Sequence, residues 1–391
     1  MGSALTLAPA SSAASSAYAV TELPVAFYNT FGVAADPATN TLYAGIRSLS
    51  SGLAVVNTST NTVTSTIGLP IIPEEVAVDV ASDTVYAIQG DVVEVVDGAT
   101  NTITSRLVIP CVNPGRAAVN PVTHQVYVTC TSGGVVVIDG TTKSVATTIL
   151  LGAGSNPVGV AVDSSTDVVY VTEAGAAAVA VINGTSNAVT GTIALSAGSE
   201  PMGLAADTSA GRVYVADSGT GVISAIDMAT DDVSTLTTGL TEPDGIALDS
   251  AGDKLYATTA FGSPYGLGTT YAIDTSTGVI AAQIPRGGDA VTVMPSGSAY
   301  VDGSSPFSSD QQAYGVDLLG SVTIISPSTV NTMSPVIAVP SCCFPSWTFT
   351  VGQPGQDQLV ASATPAATFA ATGLPAGLSL SPSGLDRKSV V

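Results

Sequence analysis

Seven times along the chain a hydrophobic–Tyr pair closes a short β-type run: TLYAG, TVYAI, QVYVT, VVYVT, RVYVA, KLYAT and SAYVD. The tyrosines are Tyr43, Tyr86, Tyr127, Tyr170, Tyr214, Tyr256 and Tyr300, at successive spacings of 43, 41, 43, 44, 42 and 44 residues. No other feature of the 391 residues constrains the fold as much. A repeat of that length is one supersecondary unit that cannot cover its own apolar face, so the units must stack on one another.

Each copy reads as four strands. In the fourth, PVGVAVD (157–163) is strand a, apolar enough for an inner position, and VVYVT (168–172) is strand b after a turn at 164–167. AVAVIN (178–183) is strand c, and AVTGTIAL (188–195), with outward threonines, is strand d. The c–d turns repeat as NTSTNT, DGATNT, DGTTKS, DMATDD and DTSTGV, and their leading acids Asp97, Asp139, Asp227 and Asp274 are expected to cap turn amides rather than to catalyse. Four strands per unit at this period is the pattern of a β-propeller blade, and seven units make a ring. The expected fold class is all-β: a seven-bladed β-propeller of four-stranded antiparallel blades. Composition agrees, since Val, Thr and Ile abound, only 10% of residues are charged, and no sustained helical period exists. The single Trp347 lies outside the repeats, so this is not the WD40 pattern.

The unit P-x-G-x-A-x-D…VYV…VIN/D…V…TI resembles the YVTN family of β-propeller repeats, found in exported bacterial and archaeal surface-layer-like proteins. VYVT occurs verbatim at 126–129 and 169–172. The resemblance spans about residues 31–340, is strongest in copies 3 to 5 and weakens in copy 7. It implies the seven-bladed ring and no single activity. Some periplasmic relatives bind DNA, which the charge of this chain opposes.

The opening MGSALTLAPASSAASSAYAV ends in a small-x-small triplet, Ala17-Tyr18-Ala19. Residues 1–19 are therefore expected to be a signal-peptide remnant or disordered leader, which places the protein outside the cell or on a bacterial cell surface. The ring is expected over 20–340. Over 341–391, SWTFTVGQPGQ (346–356) and ATFAATGLPAGLSLSPSGL (367–385) resemble the start of an immunoglobulin-like domain of bacterial surface proteins, while DRKSVV departs from it. This segment reads as truncated, with too few strands to close a sandwich. Ring closure needs a strand from one terminus. YAVTELPVAF (18–27) resembles a strand d and MSPVIAV (333–339) reads as a final strand, and either can be outermost.

Nine basic against 30 acidic residues give a formal charge of −21. Such a surface repels phosphate backbones, so nucleic acid is not an expected partner, whereas cations are electrostatically easier. No apolar run is long enough to span a membrane, and a monomer is expected. In an exported protein four cysteines favour disulfides. Cys111 precedes strand a of blade 3 and Cys130 ends its strand b, so antiparallel pairing brings them together; such a bridge contributes on the order of 3 kcal/mol. Cys342 and Cys343 are adjacent, with a vicinal disulfide, a free pair or links to a missing partner all open. With His124 as the sole histidine, zinc is not expected. That histidine sits in an a–b turn, opposite the d–a and b–c connections, and reads as an exposed turn residue.

Two constellations carry functional expectations. The residue before the proline that opens strand a is Asn113, Asn156, Glu200 or Glu242 in blades 3 to 6, with Asp289 near the matching place in blade 7. By repeat symmetry these would ring the channel mouth, and oxygen ligands there suit Ca²⁺, as in a loosely similar arrangement of calcium-dependent lactonase propellers. The other reading is that they simply begin an extended segment. The second constellation is loop length. The b–c connections of blades 6 (258–270) and 7 (302–321) are long and carry Phe261, Tyr265, Phe307, Tyr314, Asp302, Asp310 and Asp317, whereas those of blades 2 to 5 are short. Aromatics with carboxylates on irregular loops over a rigid ring are how binding surfaces are commonly built, although one loop covering the other is an equal alternative. The reading is a non-enzymatic, exported binding or display module for a protein or carbohydrate ligand, with no catalytic residues and no cofactor. The alternative is a Ca²⁺-assisted hydrolase or lyase at the channel mouth, using Glu200, Glu242 and Asp289.

Overall fold

The computed structural model describes residues 18–23, 29–47, 51–249, 251–259, 268–302, 322–327, 378–381 and 384–387. The chain divides into two units, Met1–Val330 and Asn331–Val391. The first is a ring of seven four-stranded antiparallel sheets with no helix among the described residues. In the second, Leu378–Ser381 pairs with Gly384–Arg387 in a hairpin. The rest of the stretch compared above with an immunoglobulin-like domain lies outside the described residues.

The inner strands are Asn29–Asp36, Glu75–Asp79, Pro114–Asn120, Pro157–Asp163, Pro201–Asp207, Pro243–Asp249 and Val291–Val293. Each packs on the next, and the seventh returns to the first. Blades 1 to 6 run a–b–c–d outward in chain order. Blade 7 takes Val291–Val293, Ala299–Val301 and Thr323–Pro327 from one part of the chain and its outermost strand, Tyr18–Glu22, from the other. Tyr18 pairs with Pro327 and Glu22 with Thr323. The N-terminal segment thus closes the ring, starting at Tyr18 inside the expected leader, while 333–339 falls outside the described residues.

Burial follows position in the blade. Strands b and c are covered on both faces by neighbouring blades, so Val168–Glu173 and Thr84–Gln89 are buried at every position after the first. Strand d borders solvent, so Thr62–Gly68 alternates between exposed and covered, which is why the threonines fall there. Six of the seven anchor tyrosines, all but the slightly more exposed Tyr170, are among the largest fully buried side chains, and burying each contributes roughly 2 kcal/mol. Two of the hydroxyls bond to the next blade: Tyr256 donates to the Gly297 carbonyl at 3.1 Å, and Tyr300 of blade 7 donates to Asn61 Oδ1 of blade 1 at 2.9 Å.

Two turns per blade fix the opposite end of the ring. Asp97 Oδ1 accepts from the Thr100 amide at 2.8 Å and the Thr100 hydroxyl at 2.7 Å, and Asn101 then adopts φ +55°. The same left-handed step recurs at Asn61, Lys143 and Asn187. These bonds pull the Asp97 and Asp139 carboxyls below the usual range, in keeping with capping. At the end of strand a, Asp36, Asp79, Asn120 and Asp163 cap the a–b turns in the same manner. Cys111 and Cys130 form a disulfide, their Cα atoms 5.4 Å apart.

Candidate functional site

Eleven residues before the tyrosine, four copies carry glycine: Gly32, Gly159, Gly203 and Gly245. A Cβ on Gly159 would lie 2.3 Å from the Met202 carbonyl oxygen of the next blade, and one on Gly203 would lie 2.4 Å from that of Asp244. These glycines let the inner strands approach closely around the axis. These glycines and the residues after them, such as Val160, Leu204 and Ile246, line a channel of about 280 Å³.

Blades 2 and 3 carry charge at this position, Glu75 and Arg116, and both residues line the channel; in blade 7 the pairing of Val291 with Val301 puts Ala290 there, ten residues before Tyr300. The Arg116 guanidinium lies 3.6 Å from Glu75 of the neighbouring blade and 3.1 Å from Asp244 of blade 6, and it donates to the Asp289 carbonyl of blade 7. One side chain therefore ties blade 3 to the opposite arc of the ring. A fifth of it stays exposed to the lumen, although protein atoms enclose it. Burial pulls its pKa down, but Asp244, Glu75, Asp302 and Asp289 more than offset that, and the guanidinium stays charged.

The acids around it have lost more hydration than one guanidinium restores. Burial pushes Glu75 up to about 7 against the opposing pull of Arg116. Burial likewise raises Asp244, with Arg116 opposing and Asp289 adding. Asp302, 1% exposed, is raised well above the ordinary carboxylate value by burial and then by Asp289. Its Oδ1 accepts from the Ala290 amide at 2.9 Å, while Oδ2 is buried without a partner. In other blades the matching position holds Thr129, Thr172 or Thr258, whose hydroxyls bond inner-strand carbonyls.

The expected site residues fall as follows. Asn113, Asn156, Glu200 and Glu242 are exposed and take left-handed φ values of 52°, 47°, 45° and 43°. They turn the chain into strand a, with the Asn113, Asn156 and Glu200 carbonyls accepting from Thr131, Ala174 and Ser218 of their own b–c turns. None of them lines the channel, whereas Asp289 belongs to the network around Arg116. Among the described residues no three His, Cys, Asp or Glu side chains are arranged to hold a metal ion. Asp302 is buried at the root of the blade 7 connection. Phe261, Tyr265, Phe307, Tyr314, Asp310 and Asp317 lie outside the described residues. His124 is only 36% exposed, because Nδ1 lies 2.6 Å from Asp79 Oδ2 of blade 2.

Glu75, Arg116 and Asp244 are not among the residues expected from the features the copies share. For Glu75 and Arg116 the signal was the opposite one, charge where other copies have glycine; Asp244 stands one residue before its glycine, where blades 4 and 5 have Val158 and Met202.

No family model and no curated protein sequence matches the chain. Among solved structures it is similar to Kuenenia stuttgartiensis hydrazine synthase, at TM-score 0.60 and 18% identity over 72% of this chain and 94% of that one. It is also similar to the Myceliophteria thermophila Cps50 (Swd1) β-propeller domain, at TM-score 0.63 and 12% identity over 80% of this chain and all of that one. At these identities the likeness is one of fold. Among the described residues no helix is long and apolar enough to cross a membrane.

Proposed function

We propose that the chain is an exported, non-enzymatic β-propeller of the YVTN type that binds a protein or carbohydrate partner through the b–c connections of blades 6 and 7. The observation that supports this most is an asymmetry on an otherwise regular ring. The b–c connections of blades 2 to 5 occupy only 90–91, 131–133, 174–177 and 218–221, whereas those of blades 6 and 7 occupy 260–268 and 302–322. The strands that flank these two connections belong to adjacent blades. A propeller serves as a binding or scaffold module in general, and variation concentrated in two connections fits recognition better than packing alone. The channel holds an ion cluster of the chain's own making, which favours binding on the face over chemistry in the lumen.

A glycan array and a library of displayed extracellular proteins, each probed with the wild type and with a variant replacing Phe261, Tyr265, Phe307 and Tyr314 by Ser, test the reading. The expected result is binding by the wild type, loss of it in the variant, and an unchanged melting temperature. Equal binding by both proteins would count against it.

A further inference from the structure

We propose that the cluster around Arg116 is a pH-sensitive latch, holding blade 7 and the root of its long connection to blades 2, 3 and 6 in mildly acidic solution and loosening as the solution turns alkaline. The geometry carries the idea. Arg116 leaves blade 3, crosses the lumen, and ends against Asp244 of blade 6 and the Asp289 carbonyl of blade 7, with Glu75 of blade 2 beside it. Blade 7 is where such a tie matters, since its two innermost strands have three residues each and its outermost comes from the far end of the chain. Asp302, the first residue of the long connection, fastens that connection to the Ala290 amide.

The groups facing the cluster can be named blade by blade. Blade 2 supplies Glu75, blade 3 Arg116, blade 6 Asp244, and blade 7 Asp289 and Asp302. At the matching positions of blades 1, 4 and 5 stand Gly32, Gly159 and Gly203, which do not titrate. Four carboxyls therefore lie within the field of the Arg116 guanidinium. Below neutrality Glu75 keeps its proton, burial raises Asp302 toward its protonated form as well, and Arg116 faces a charge it can balance. The unpartnered Asp302 Oδ2 fits that state, because an ionised oxygen left there would be buried with nothing to neutralise it. Above neutrality Glu75 ionises and repels Asp244 across the cluster, while burial and Asp289 hold the Asp302 carboxyl against ionisation beside them. The excess negative charge then strains the ties that Arg116 makes to blades 2, 6 and 7.

Hydrogen–deuterium exchange on the intact chain at pH 5.5 and 8.5, corrected for intrinsic rates, tests the latch. Amides of Ala299–Val301 and Thr323–Pro327 should lose protection by about tenfold at the higher pH, the size of a one-unit pKa linkage. Those of Ala178–Asn183 in blade 4 should change far less. The double variant Glu75→Gln, Asp302→Asn should keep its blade 7 protection at pH 8.5. Arg116→Met should lose protection at both values. Equal blade 7 protection at the two values in the wild type overturns the latch without reference to any variant. So does a double variant that loses protection as the wild type does, or an Arg116→Met that retains it at pH 5.5. The outcome is independent of what the connections of blades 6 and 7 bind.

Discussion

Blade 4 and blade 7 descend from the same repeat and solve different problems. Blade 4 has four consecutive strands, a seven-residue inner strand, an inner glycine in Gly159 and a neutral tie through Thr172 to Met202 of the next blade. Blade 7 has a three-residue inner strand, Ala290 in the glycine's place, Asp302 in the threonine's, and an outer strand from the other end of the chain. The regular blade is held by local contacts repeated around the ring. The closing blade depends on distant ones: Tyr18–Glu22 outside and Arg116 inside. The two should therefore fail under different insults.

The largest effect should come from removing residues 18–23. This strips the outer strand from blade 7, uncovers the edge of Thr323–Pro327, and removes both the fully buried Leu23 and the edge-on contact of Tyr18 with Tyr256 at 6.3 Å. A loss on the order of 5 kcal/mol or more is expected in urea unfolding, together with association through the bared edge. An unchanged midpoint would show that another segment can take the strand's place.

Next in size is Gly159→Ala. Its methyl would meet the Met202 carbonyl, which is backbone and cannot swing aside. The expected cost is roughly 2–4 kcal/mol. The reverse change in blade 7, Ala290→Gly, should cost less than about 1 kcal/mol, because there the space already accommodates a methyl. If the two substitutions cost the same, the inner ring packs no tighter at blade 4 than at blade 7. Replacing Cys111 and Cys130 by Ser should remove on the order of 3 kcal/mol, measured in the same way, through the chain entropy a closed loop withholds from the unfolded state.

These expectations also mark what the sequence made legible. The tyrosine period revealed the number of blades, because each tyrosine fills the same interface and any other spacing would misplace it. The positions of Cys111 and Cys130 at paired strand ends revealed their bridge. The closing strand could not be chosen between 18–27 and 333–339, because both have the alternation of an outer strand and only tertiary pairing decides. The left-handed turn at Asn156, Glu200 and Glu242 went unseen because a residue before proline ordinarily favours extended backbone; here the b–c turn amides captured by the carbonyls of Asn156 and Glu200 favour the other conformation. Arg116 was invisible as a strut, since nothing local in NPGRAAVN indicates that its partners lie in blades 6 and 7.

A last effect concerns pH, and it decides how far the contrast between blades extends. Asp217 ends strand b of blade 5, 2% exposed, with one oxygen accepting from the Ser224 hydroxyl and the other unpartnered. Burial raises its pKa to about 6. A carboxyl whose folded pKa exceeds its unfolded value of about 3.9 keeps its proton longer in the folded chain. Stability from this group is therefore full below the unfolded value and is lost as pH rises through the folded one, by about 2 kcal/mol between pH 4 and 7. Asp217→Asn should flatten that slope by the same amount in urea unfolding at stepped pH, while the blade 7 variant Asp302→Asn removes a separate share. If Asp217→Asn leaves the slope intact, the pH sensitivity of the ring resides elsewhere, with the acids around Arg116 the first place to look. If it removes the whole slope, the regular arc and not the closing blade sets the response.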